Sequence, residues 1–97
     1  MTTCRLTFLR DAHKEWNKLG ANIREQFARK LRERLENPRV ASARLSGMPD
    51  CYKIKLRAAG YRLVYRVEEQ QVTIVVVAVG KRERNAVYKA AAKRSAD

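Results

Sequence analysis

From Cys51 to Val67 apolar and polar residues alternate with a period of two. Tyr52, Ile54 and Leu56 alternate with Lys53, Lys55 and Arg57; Tyr61, Leu63, Tyr65 and Val67 alternate with Arg62, Val64 and Arg66. This pattern predicts two strands, each with one face on a core and one face in water. The two basic rows share a face only if an even number of residues closes the turn between them. Ala58-Ala59 suits a two-residue loop poorly, so a four-residue loop including Gly60 is expected.

Upstream, Leu6 and Phe8 alternate with Arg5 and Thr7, which predicts a short first strand over 3–8. Leu9, Ala12, Trp16 and Leu19 then recur at helical spacing, with Gly20 placed as a C-cap. Asn22, with Glu25 three residues on, has the form of a capping box for a second helix. The apolar stripe of that helix is Ile23, Phe27, Leu31 and Leu35, and Asn37-Pro38 stops it. Arg39 to Asp50 reads as a connector that turns Leu45 and Met48 to the core. After a turn at Glu68–Gln71, the run Val72–Val79 is almost continuously apolar, as expected of a central strand covered on both sides and ended by Gly80. A last helix from Glu83 to about Lys93 groups Val87, Ala90 and Ala91, and 92–97 is expected to fray. The whole predicts one α+β domain over 1–97, ordered β-α-α-β-β-β-α. A helical hairpin should cover one face of a curved, mostly antiparallel, four-stranded sheet, with a C-terminal helix besides.

Charge changes the picture. The 97 residues hold 22 Lys and Arg against 10 Asp and Glu, a formal charge of +12, and fourteen of the bases are Arg. Arg suits bidentate phosphate contacts, and so basic a chain points to nucleic acid or a strongly acidic protein. No apolar run is long enough to span a bilayer, and MTTCRLTF lacks the pattern of a signal peptide. A cytoplasmic protein without a membrane partner is expected, with Cys4 and Cys51 reduced. Trp16 fits the core better than a base-stacking role. His13 reads as a surface histidine, and neither cysteine stands at metal-ligand spacing from it.

The basic face, with Lys53, Lys55, Arg57, Arg62 and Arg66, carries the candidate chemistry. Arg82, at the exit of the buried strand, and Tyr88, six residues on, would flank it if the last helix folds back. RNA cleavage by internal attack requires deprotonation of a 2′-OH, stabilisation of the phosphorane charge and a proton for the 5′-oxygen. Lys and Arg meet the second need. For the first, a crowd of cations lowers the pKa of a neighbouring Lys or Tyr, so a lysine of the 53–55 row, or Tyr88, would serve as a weak base. This set is underpowered on free RNA and needs a substrate held in attack geometry. Composition alone favours binding over cleavage.

The run LSGMPDCYKIKLRAAGYRLVYRV followed by VGKRERNAVY resembles RelE-type toxins of toxin–antitoxin modules, and the likeness extends from about Trp16 to Tyr88. A looser pattern, Leu45-x-Gly47, Tyr52, Gly60-Tyr61-Arg62 and Tyr65, is shared with ParE-type toxins, which inhibit DNA gyrase. The resemblance implies an mRNA endonuclease acting in the ribosomal A site, without metal or other cofactor. It puts Lys53, Lys55, Arg62, Arg82 and Tyr88 at catalytic positions. Lys55 is the stronger candidate base, Arg62 holds the phosphate, Arg82 supports the leaving group and Tyr88 orients the attacked nucleotide. Arg57, Arg66, Lys81, Arg84 and Arg44 are candidate RNA contacts. Ser46 departs from the family, where a further base is frequent. The implied partners are the 70S ribosome with mRNA and an acidic, DNA-binding antitoxin of RelB type, with operator DNA reached only through the antitoxin complex. A gyrase-directed toxin of the same fold and a non-catalytic nucleic-acid-binding module are the alternatives.

Overall fold

The computed structural model describes residues 4–95. Strand β1 (Arg5–Phe8) leads into helices α1 (Arg10–Asn17) and α2 (Ala21–Glu36). Strands β2 (Cys51–Leu56), β3 (Tyr61–Glu68) and β4 (Thr73–Lys81) follow, and then α3 (Ala86–Ser95). The four strands form one sheet in the order β1-β4-β3-β2, with β1 parallel to β4 and the other pairs antiparallel. The α+β class and the element order match the sequence reading.

Register sorts the side chains onto two faces. The cross-strand rows Tyr52–Tyr65–Val76 and Ile54–Leu63–Val79 are buried with Ala12 and Leu19 of the first helical segment and Phe27 and Leu31 of α2. Trp16 packs between Phe8 and Phe27, ring centroids 5.3 and 6.3 Å away, and is a core residue as its spacing predicts. The opposite face is not open along its length. Cys51, Val64, Val77 and Ala78 are buried against Val87 and Ala91 of α3. Here β4 carries one extra residue: Val64 pairs with Ala78 but Tyr65 with Val76, so Val77 is bulged. Burial on both faces explains why β4 reads as an unbroken apolar run. Leu45 and Met48 do pack inward, against this second cluster.

Four local expectations are corrected. Gly20 is the N-cap of α2, with extended backbone (φ −65°, ψ 154°), and α1 ends earlier, at Lys18. The Asn22–Glu25 capping box does not form, because α2 already starts at Ala21 and the Gly20 carbonyl accepts from the Arg24 N–H at 3.0 Å. Gly80 does not end β4, which pairs on through Lys81. The last helix begins at Ala86, after two residues of positive φ at Arg84 and Asn85, and stays helical to Ser95. Residues 92–95 form the end of this helix, and 96–97 lie outside the described residues.

What holds α3 down is a clamp at the edge of β4. β1 pairs only as far as Val76, and past it the Val79 N–H donates to Glu15 Oε1 at 3.2 Å. Arg94 of α3 donates to both Glu15 carboxylate oxygens, at 2.9 and 3.0 Å, and to the Val77 carbonyl at 2.8 Å. The Glu15 hydrogen bond raises the pKa of the Arg94 guanidinium, against the opposing effect of burial. The pair is 21% and 32% exposed, so loss of one partner should cost less than a fully buried pair would. Glu15→Ala is expected to lower stability by about 1–2 kcal/mol in urea unfolding and to speed amide exchange throughout α3. Unchanged exchange would show that apolar packing alone holds the helix. Among the described residues, no helix is long and apolar enough to cross a membrane.

Candidate nucleic-acid interface

The hairpin closes through Arg57–Gly60, the four-residue loop expected, with Gly60 in the left-handed region (φ 73°) and its N–H on the Leu56 carbonyl at 2.9 Å. This even count puts Lys55 opposite Arg62, and Arg62 opposite Gly80. A transverse row thus crosses three strands, with Lys53 on the same face one alternation along β2. The Arg82 N–H donates to the Gly60 carbonyl at 2.7 Å, which ties the exit of β4 to the hairpin turn and brings Arg82 to the row.

These cations differ in setting. Arg62 is only 5% exposed, and its Nη1 donates to the Tyr61 carbonyl at 2.9 Å. Lys53 and Lys55 are half-buried, and Arg57 and Arg82 are exposed. Among the described residues, none of the five makes an ion pair. The result shows in Lys55, whose pKa is pushed below the ordinary lysine value. The Lys53 ammonium is the largest cause, followed by desolvation and then by Arg57, Arg62 and Arg82. Unneutralised cations converging from two strands, the hairpin loop and the exit of β4 form a site for a polyanion, and phosphate esters fit the bidentate donors. A lysine with a lowered pKa inside that field is also a better proton acceptor near neutrality than a lone one.

Tyr88 is half-buried in the first turn of α3 and packs against the second cluster. Ser95, two turns on and on the same side of the helix, lies with its Oγ 3.7 Å from Cys51 Sγ on β2. Tyr88 therefore shares one side of α3 with Ser95 and packs over the second cluster. Other candidates lie apart. Arg66 has the correct parity, but the buried Val64 under α3 separates it from Arg62, and it pairs with Glu68 at 2.9 Å. Lys81 shares its register position with Leu56 and Tyr61, so it falls on the helical-hairpin face of the sheet. Arg84 is exposed in the loop before α3. Arg44 bridges to Tyr52 on the outer edge of β2, where a hollow of about 480 Å³ lined by Arg44 to Pro49 opens. Two residues escaped the sequence reading although helical spacing marked both. Glu15 is three residues after the buried Ala12, and Arg34 is three after Leu31 and seven after Phe27.

Comparison with known proteins bears on this arrangement. A family profile described as ParE toxin of type II toxin-antitoxin system, parDE, matches residues 6–86. The chain belongs to this toxin family. Within the wider group its likeness is to RelE. It is 57% identical over 89 residues to the mRNA interferase toxin RelE of Escherichia coli, an alignment spanning 92% of this chain and 94% of that protein. The free form of an E. coli RelE double arginine-to-alanine mutant superposes with a TM-score of 0.88 at 53% identity, covering 95% of this chain and 97% of that one. The toxin in the intact E. coli RelBE toxin–antitoxin complex gives a TM-score of 0.80 at 56% identity, over 84% of this chain and 99% of that one. The resemblance to RelE-type toxins read from the sequence is borne out.

Proposed function

We propose that the chain is the toxin of a type II toxin–antitoxin module and an endoribonuclease that cuts mRNA in the ribosomal A site. One observation carries the reading: Lys55, with its lowered pKa, stands among Lys53, Arg57, Arg62 and Arg82, none of which has a counter-ion among the described residues. The likeness to a relative named as an mRNA interferase supports it.

In this mechanism the neutral Lys55 amine takes the proton of the 2′-OH, and the oxygen attacks the adjacent phosphorus. Arg62, buried and fixed on the Tyr61 carbonyl, donates to the phosphorane oxygens as charge builds there. Lys53 keeps the Lys55 pKa low. Arg82 supports the departing 5′-oxygen, which takes up a proton from solvent water, while the Lys55 ammonium returns its proton to solvent. One proton leaves the 2′-OH and one reaches the 5′-oxygen, giving a 2′,3′-cyclic phosphate and a 5′-OH end. Tyr88 stacks on or orients the attacked nucleotide. The ribosome supplies the in-line geometry that side chains alone do not, which makes the cytoplasm the place of action. Arg57 and the exposed Arg84, with Arg44 at the outer edge of β2, hold RNA phosphates near the row.

The antitoxin partner is an acidic segment joined to a DNA-binding dimer, and the pair represses its own operon. The +12 charge and the antitoxin complex of the E. coli relative support this part.

Primer extension on a defined mRNA, with and without 70S ribosomes paused at a known codon, tests the proposal. A new 5′ end inside the A-site codon, seen only with ribosomes, is the expected result. The ParE profile match favours a second reading, a toxin directed at gyrase, which would give SOS induction without translation arrest and no such end.

A further inference from the structure

We propose that Arg34 is a positioning residue for the cleavage site: its guanidinium, set between α2 and the edge of the sheet, holds the β2 backbone at Lys53 and so fixes how far Lys53 and Lys55 stand from Arg62 and Arg82. This rests on the endonuclease reading above.

Four observations lead there. β2 is an edge strand, held by β3 on one side. On its outer side, among the described residues, the connector reaches it through the Arg44–Tyr52 bridge and the Leu45 N–H on the Cys51 carbonyl at 3.0 Å, both short of Lys53. Arg34 reaches this edge: its Nη1 donates to the Lys53 carbonyl at 3.2 Å and to the Tyr65 hydroxyl at 2.8 Å. The anchor beneath is rigid. Tyr65 is fully buried, stacks on Tyr52 at 5.6 Å, and donates its hydroxyl to the Pro38 carbonyl at 2.6 Å, while the guanidinium carbon lies 5.6 Å from the Tyr65 ring centre. Finally, Arg34 has no carboxylate partner among the described residues. An aliphatic side chain would fill the space without the cost of desolvating a charge, so what the guanidinium adds is its donors, and one of these goes to the main chain of a proposed catalytic strand. Arg29 of the same helix, by contrast, pairs with Glu25 in solvent.

The consequence is testable apart from simple folding. Arg62 and Arg82 are among the causes of the lowered Lys55 pKa, so a β2 edge free to drift away from them would relax it in part. Arg34→Met keeps the stem and the volume; Arg34→Lys keeps the charge with a single donor head. At saturating paused ribosomes, single-turnover cleavage by Arg34→Met should fall about 5–20-fold, with the half-saturating ribosome concentration unchanged. NMR titration of the Lys55 side chain in the free protein should move up toward the ordinary lysine value, and Arg34→Lys should recover part of both effects. An unmoved Lys55 titration in folded Arg34→Met, or in Arg34→Lys if the first variant does not fold, would overturn the proposal. So would a loss of rate matched by a loss of ribosome affinity. The titration needs no activity, so a wild-type chain that cuts nothing would remove the endonuclease reading alone.

Discussion

Lys55→Ala should abolish cleavage on paused ribosomes, with a single-turnover rate lower by about 10²–10⁴-fold, the usual range for a lost general base. Ribosome binding should survive, because Lys53, Arg57, Arg62 and Arg82 remain to hold phosphates. The pH dependence gives the same claim a sign. Only the neutral amine takes a proton, so the rate should rise with pH up to the pKa of Lys55, which lies below the ordinary lysine value chiefly because of Lys53. Lys53→Ala removes that cause. The Lys55 pKa should return upward, the rising limb should move to higher pH, and cleavage at neutral pH should slow. Normal cutting by Lys55→Ala, or an unmoved limb in Lys53→Ala, would take the base away from Lys55.

Arg62→Met should show activity and stability moving in opposite directions. Arg62 is 5% exposed, has no carboxylate partner among the described residues, and has a neutral carbonyl as its hydrogen-bond acceptor. A buried charge held this way is unfavourable for the fold until an anion arrives. Methionine of similar length should raise unfolding stability by about 1–2 kcal/mol, or roughly 4–8 °C in Tm for each kcal/mol. The same change should reduce cleavage by about 10²–10³-fold, because the donor aimed at the phosphorane is gone. Thermal melts and single-turnover cleavage on the same preparation check both halves. A destabilised variant would mean that the guanidinium serves packing rather than phosphate.

How much of this was legible in the sequence varies by element. The β2–β3 hairpin was, because parity alone assigns Lys55 and Arg62 to one face and Tyr52 and Leu63 to the other, and the loop count fixes the register. The stripe of α2 was too, since Phe27 and Leu31 repeat at helical spacing and are both buried. The helix boundary between α1 and α2 was not. Gly20 and Asn22 are each plausible caps, and the backbone rather than the side chains decides between them. Arg66 shows the limit of parity: its face is correctly predicted, but α3 lies across Val64 and cuts it off from Arg62. Lys81 shows the converse limit: because Gly80 continues the strand, register gives Lys81 a definite face, that of Tyr61 and Leu56. Glu15 and Arg34 act through contacts that join three elements, and no window of sequence contains all three.

The position of β4 also governs when the site comes into being. The β2–β3 hairpin is local, whereas Arg5 of β1 finds its partner in Thr73, 68 residues away (73 − 5). Non-local pairing is slow because the intervening loop must close before any contact rewards it. A chain in which β2 and β3 have paired before β4 docks displays Lys53, Lys55 and Arg62 without Gly80 or Arg82. β1 meanwhile stays without its neighbour, and Arg62 stays uncovered. Only the arrival of β4 closes the sheet, seats α3 through Glu15 and Arg94, and completes the cationic row. A chain whose β4 has not yet paired therefore carries half a site, and docking of the last strand is the step that completes it.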